Sequence, residues 1–510
     1  MSERPSALAQ LRVRENQTFL AATVVIGVLA GLSAVLFSLS IDIATRSFFG
    51  FSPSAVRLFL VPTGLSLVAG LLLAYVFPEV RGSGVPQTKT AYHLAGGVLP
   101  LRVAIGKFLT GVLCIGAGHS LGREGPSVQI GAALASAAGG WLRLPAHRIR
   151  ELVPVGAAGA LAAAFNTPVA AVLFTLEEII GDTNAPLIGS TVIASVASVI
   201  VARSLLGDAP LFHVPVYELV HPAELAAYAC LGLVGGVLSV LFAKGLLRAR
   251  MALRRLPERS RWAHPALGGV IIGGMLIVTP GVLGVGYEYV DQALNSGLLL
   301  QTLLVLCGMK LVATIVSYAS GNAGGVFAPS LFIGAMAGGA VGVVVNGLAP
   351  FPTADPGAYA LVGMGTLFAG IIRAPMTSVV MIFEITQDYQ IIVPLMVANM
   401  LSFVISRHYQ PEPLYHALLL QDGVHLPTAD RLTGDGHLPG KRARDVMVPA
   451  GDELLTAPGD GAHVHPDHTL DVVLERLART DGSLPVLDRR DTRQVLGVIT
   501  RDSLLGRRPG

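Results

Sequence analysis

The chain has 510 residues, of which 52% are hydrophobic and only 14% charged, and its formal net charge is +3. A soluble domain carries roughly 25% charged residues, so this composition excludes a single water-soluble core and points to a polytopic membrane protein. So small a net charge gives no footing for nucleic-acid binding.

The chain starts with Arg4, Arg12 and Arg14 and enters the charge-free run Thr18–Ile41. That run is long and similar ones follow it, so it is predicted as a membrane helix and not as a cleaved signal peptide. The later runs are Ala185–Ala202, Pro265–Tyr287 and Ser330–Ala354. Between them, Gly82-Ser83-Gly84-Val85-Pro86, Gly122-Arg123-Glu124-Gly125-Pro126 and the stretch from Gly321 to Pro329 are breaks, each ahead of an apolar helical pattern. Irregular backbone at membrane depth is tolerated only where protein or a water-filled cavity surrounds it. A helix starting there offers unpaired N–H groups and about half a positive charge, which suits a dehydrated anion.

The chain also repeats itself. Pro168 leads to Glu177 as Pro375 leads to Glu384, and the Gly-x-x-x-Pro of Gly122–Pro126 recurs at Gly325–Pro329. Two related halves are expected, joined by the basic connector Lys244, Arg248, Arg250, Arg254, Arg255, Arg259 and Arg261. Positive-inside bias puts that connector and the N-terminal arginines on the cytosolic side. Glu178 has no counterpart, because Glu384 is followed by Ile385, and this asymmetry suggests a dedicated task for it. Cys114, Cys230 and Cys307 are scattered in apolar surroundings and read as packing residues.

After Gln421 the composition changes: 26 of the 69 charged residues lie from Asp422 onward. Residues 1–421 read as the transmembrane domain, 422–440 as a turn-rich linker and 441–507 as a small α+β domain. In the last, Thr469–Leu477 has helical periodicity, Leu484–Leu487 and Val495–Ile499 suit strands, and Asp502–Leu505 restarts a helix.

The three breaks, in this order, resemble the CLC family of chloride channels and proton-coupled chloride exchangers over about residues 18–421. The resemblance implies an all-α membrane fold of two inverted-topology halves, a homodimer with one pathway per subunit, a multi-pass place in the cell (inner or plasma) membrane, and both termini in the cytoplasm. It implies an anion site from the hydroxyls of Ser83 and Tyr415 and the amides of Val326 and Phe327, with Arg123, Glu124 and Gly125 at the second break. Glu124 resembles the external gating glutamate and Glu178 the internal proton-transfer glutamate of the exchangers. Ser83 favours chloride as the anion. Gln87 departs from the pattern, standing where an acid is often found.

The tail resembles a single CBS repeat through Val446-Met447-Val448-Pro449 and Gly497–Asp502, where Thr500 and Asp502 would meet the ribose of an adenine nucleotide. Chloride and protons are the transported ions, and no resident cofactor or metal is expected. A passive voltage- or proton-gated chloride channel and a nucleotide-sensing regulatory membrane protein are the alternatives. A membrane enzyme has no metal cluster, nucleophile motif or phosphate loop in its favour.

Overall fold

The computed structural model describes residues 7–50, 53–182, 187–208, 212, 214–215, 220–426, 442–449, 463–468, 470–477, 480, 483–489, 494–500 and 503. The chain divides into two compact units, Met1–His425 and Leu426–Gly510. The first is helical: α1 (Ala7–Phe49), α2 (Ala55–Leu71), α3 (Val85–His93), α4 (Leu101–Gly116), α5 (Glu124–Trp141), α6 (Ala146–Phe165), α7 (Pro168–Phe174) and α8 (Ile188–Leu206), then α9 (Glu224–Arg254), α10 (His264–Val278), α11 (Tyr287–Leu294), α12 (Leu300–Ala319), α13 (Phe327–Leu348), α14 (Pro356–Ile372), α15 (Pro375–Thr386), α16 (Ile392–Tyr409) and α17 (Leu414–Gln421).

Seven of the described helical segments are long and apolar enough to cross a bilayer. Their outward faces expose Leu36, Ile43, Leu60, Ile200, Leu241 and Val404, a surface that lipid satisfies and water does not. The chain is an all-α polytopic membrane protein with a small separate tail unit.

The repeat read in the sequence is a repeat of packing. In the first half α5 packs on α6, α1 on α6 and α8, and α6 on α8; in the second α13 packs on α14, α9 on α14 and α16, and α14 on α16. Glycine permits close crossings. A Cβ on Gly131 would strike the Gly156 carbonyl and one on Gly156 the Gly131 carbonyl, and Gly334 and Gly363 repeat this relation between α13 and α14. Backbones this close leave no room for a methyl group, as small-residue helix contacts in membranes require. Gly131→Ala is therefore expected to destabilise the protein by about 1–3 kcal/mol through overpacking. Thermal melting in detergent, followed by size exclusion, checks this, with Gly140→Ala as control because nothing lies within 4 Å of a Cβ there.

One expectation is corrected. The apolar run Pro265–Tyr287 is not a single span: α10 ends at Val278, Pro280–Val282 forms a short turn, and a new helix begins at Tyr287. Pro280 and Gly281 break the helix without any charge to mark the place.

The tail unit contains α18 (Ala443–Val446), β1 (Val448–Pro449), α19 (Leu470–Leu477), β2 (Ser483–Leu487) and β3 (Val495–Thr500). The strands form an antiparallel sheet in the order β1-β3-β2. Leu484 and Val486 of β2 and Ile499 of β3 join Val464, Leu470, Val473 and Leu477 in its core. The expected helix at Asp502–Leu505 lies outside the described residues except for Ser503.

Candidate functional site

The three breaks are stitched together by their backbones. Gly122 N donates to Gly325 O at 2.7 Å and Gly325 N to Gly122 O at 2.8 Å, while Gly324 N donates to Gly82 O at 3.1 Å. The starts of α5 and α13 are thereby held back to back, with the start of α3 beside them. Gly84 takes φ +109°, and a Cβ there would lie 2.5 Å from Gly125 O, so both its conformation and its crowding demand glycine. Gln87 explains its own departure from the family pattern. Its Oε1 accepts from Gly84 N at 2.9 Å and its Nε2 donates to Arg81 O at 2.8 Å; a carboxylate has no donor for the second bond.

A buried lysine braces the first break, and a second braces the counterpart loop in the other half. Lys107 donates to Val80 O at 2.9 Å and to Gly82 O, and Lys310, in the same relation on α12, donates to Val282 O at 3.1 Å and Gly284 O at 2.7 Å.

Within the cluster of breaks, Ser83 Oγ and Tyr415 Oη are buried with no hydrogen-bond partner in the protein, and the two hydroxyls are neighbours. A buried hydroxyl left unpaired costs free energy, so a pair of them implies something to donate to. Gly125 lies against Ser83, since a Cβ on it would stand 2.5 Å from Ser83 Oγ and 3.2 Å from Gly325 Cα. Val326 and Phe327, which open α13, have amides with no intrahelical acceptor. The Phe327 ring makes the wall, packed at 4.8 Å from Phe165, 5.7 Å from Phe174 and 4.3 Å from Phe368.

Glu124 is fully buried in the next position along. Its Oε1 accepts from the Tyr287 hydroxyl at 2.7 Å, and its Oε2 is buried without a hydrogen-bond partner, near the amides of Glu124 itself and of Ala328. A carboxylate thus occupies the positive ends of α5 and α13 together. Arg123 extends over the Tyr287 ring, 5.5 Å from its centroid.

Each repeated glutamate caps the opposite half. Glu177 accepts from Met376 N at 3.3 Å, Thr377 N at 2.8 Å and Thr377 Oγ1 at 2.5 Å, closing α15. Glu384 accepts from Val169 N at 2.9 Å and Ala170 N at 2.7 Å, closing α7. Glu178 sits beside Glu177 on a π-helical turn, Thr175–Ile180, that continues α7; such turns collect at functional sites. It is 5% exposed and bound to Lys89 Nζ at 2.7 Å, so it is not a solvated acid at a helix end.

Comparison with known proteins decides the family. A voltage gated chloride channel family model matches residues 64–407. The chain belongs to this family, the CLC proteins. It is 35% identical over 380 residues, 72% of this chain and 88% of the relative, to a putative chloride channel protein ClcB-like from Ralstonia nicotianae. It is 33% identical over 418 residues, 79% of this chain and 88% of the relative, to the H(+)/Cl(-) exchange transporter ClcA of Vibrio vulnificus. The crystal structure of a slow cyanobacterial Cl-/H+ antiporter matches with TM-score 0.72 and 27% identity over 79% of this chain and 97% of that one. A eukaryotic CLC transporter structure, 22% identical, shares the fold with TM-score 0.69 over 96% of this chain and 88% of that one.

In this CLC chain the structure brings Ser83, Arg123, Glu124, Gly125, Val326, Phe327 and Tyr415 to one place and sets Glu178 apart, under α3. A cavity of about 290 Å³ opens behind Gly82, lined among others by Arg81, Arg250, Arg254, Arg261 and His264. Another, of about 110 Å³, reaches Arg123 and Arg203. Glu79 and Asp422 also line the first, and Asp422 pairs with Arg250 at 2.8 Å and Arg254 at 2.7 Å. Sequence reasoning missed Lys89, Tyr287 and the two lysine braces. A signal existed for Tyr287: Gly284-Val285-Gly286-Tyr287 repeats Gly82-Ser83-Gly84-Val85 at almost the offset that separates Gly122 from Gly325. In the tail, Thr500 Oγ1 accepts from Ser503 N at 3.3 Å, and Asp502 lies outside the described residues.

Proposed function

We propose that this CLC chain exchanges chloride for protons across the membrane. The observation that carries the reading is the pair of buried, unpartnered hydroxyls, Ser83 and Tyr415, one step from a buried carboxylate at paired helix starts. Chloride takes the hydroxyls of Ser83 and Tyr415 and the amides of Val326 and Phe327, in the field of the α13 start. These groups bind without a full cation, which suits an ion that must also leave. Arg123 and Gly125 shape the second break, and Arg123 adds positive charge to its mouth. Glu124, ionised, fills the pathway; protonated, it loses its attraction to the helix starts and vacates. Glu178 hands the proton between Glu124 and the other side.

Relatives named as H(+)/Cl(-) exchange transporters support this coupling. The family supports a homodimer in the cell membrane, and the basic connector supports cytoplasmic termini. The sheet and helix of the tail support a single CBS-like unit that assembles or regulates the dimer. Adenine nucleotide is its candidate ligand, and an unchanged melting temperature at millimolar ATP would remove that role.

The test uses purified protein in weakly buffered liposomes with an imposed chloride gradient and a clamped voltage. Proton movement against its own electrochemical gradient is the expected result. Chloride flux without proton movement makes the protein a passive channel instead.

A further inference from the structure

Tyr287 is a group that neither the anion site nor the proton route accounts for, yet it is bonded to the gate. Its hydroxyl donates to Glu124 Oε1 at 2.7 Å. The ring is fixed from two directions, edge-on to Phe212 at 5.3 Å and under the Arg123 guanidinium at 5.5 Å.

The loop that delivers it is rigid. Gly286, with φ +79°, caps α11, and a Cβ on it would stand 2.7 Å from the Phe332 ring. Lys310, fully buried, ties down the carbonyls of Val282 and Gly284, and Gly284 N donates to Gly118 O at 3.2 Å. This arrangement mirrors the first half, where Lys107 braces the loop that presents Ser83. One braced loop presents a hydroxyl to the anion site, and its counterpart presents a hydroxyl to the carboxylate that competes for the pathway.

We infer that Tyr287 is a positioning residue that latches ionised Glu124 in the pathway and so sets the turnover rate and the pH at which the gate yields. This rests on the reading of Glu124 as the gate. A phenolic O–H bonds a carboxylate more strongly than a neutral carboxyl. The bond is made in the filled state and lost when Glu124 leaves, so it acts on the difference between the two states, which is the only way a contact shifts an equilibrium.

Among the described residues, the other polar groups near Glu124 are few. Arg123 stands at the N-terminus of its own helix, Tyr415 on α17 acts on it from the anion site, and α13 offers the Ala328 amide. Lys107 of α4 and Lys310 of α12 are committed to loop carbonyls, and Lys89 of α3 to Glu178. Tyr287 is the neutral side-chain donor bonded to the carboxylate, and its removal leaves the charges in place.

Tyr287→Phe keeps the ring, its contact with Phe212 and its place under Arg123. Chloride efflux and proton movement from liposomes are measured between pH 4.5 and 7.5 for Tyr287→Phe, Glu124→Gln and the double variant. At neutral pH Tyr287→Phe is expected to speed chloride turnover by on the order of tenfold and to raise the pH of half-maximal flux by about one unit. In the Glu124→Gln background the same change is expected to do nothing. An unchanged rate and pH profile overturns the latch, as does an equal effect in both backgrounds, which marks a packing role only. If Glu124→Gln alone leaves proton movement and pH dependence intact, the gate reading itself fails and the latch falls with it.

Discussion

Glu124→Gln is expected to reduce proton movement to the leak of empty liposomes while chloride flux continues and loses its dependence on pH. The Glu124 carboxylate sets both outcomes. It is fully buried at the starts of two helices that the Gly122–Gly325 bridge holds back to back, a place whose exposed amides suit any anion. An ionised glutamate there excludes chloride by occupying its position. Protonation removes the charge that holds it, so wild-type chloride flux rises as pH falls. Glutamine keeps the shape of the protonated acid and has no proton to exchange, so the gate stays in one condition at every pH. Simultaneous records of chloride and proton flux from liposomes check this. Persistent uphill proton movement by the variant would assign the coupling to another group.

The breaks were legible in the sequence because glycine and proline interrupt long apolar runs where a soluble protein has no reason to place them. Glu124 was legible for a related reason: an acid inside such a break stands out against a chain with so few charges. The repeated glutamates were legible as a pair, but their work was not. That Glu177 closes α15 and Glu384 closes α7 depends on the two halves facing each other, which no spacing along one half reveals. Lys89 was hidden for the same reason, since it meets Glu178 across 89 positions of chain. The break before Tyr287 was missed because Val285 and Tyr287 keep the run apolar and charge-free, and hydropathy alone joins what Pro280 and Gly281 separate. The lysine braces show the limit of charge as a signal. A lysine in an apolar run reads as a span boundary, yet Lys107 and Lys310 are fully buried, because loop carbonyls accept from their Nζ–H groups.

Glu178→Gln is expected to abolish proton movement as fully as Glu124→Gln does, but to leave chloride flux with its pH dependence, because the gate remains ionisable. This difference separates the two acids. Glu178 lies on the π-helical turn behind α7, with Lys89 Nζ donating to its Oε1 at 2.7 Å. Removing only the cation tests what the pair is for. A buried ion pair that loses one partner is destabilised by about 3–5 kcal/mol unless the remaining group changes its charge, and an acid able to take up a proton does so. Lys89→Met is therefore expected to leave Glu178 protonated at neutral pH, to cut proton movement sharply there and to restore it as the pH is raised, while Glu178→Gln stays inactive for protons at every pH. The proton-to-chloride ratio of Lys89→Met across pH decides the matter. Recovery at high pH identifies Lys89 as the group that keeps Glu178 ready to accept a proton, and a ratio equal to wild type throughout reduces the pair to a structural tie between α3 and the turn.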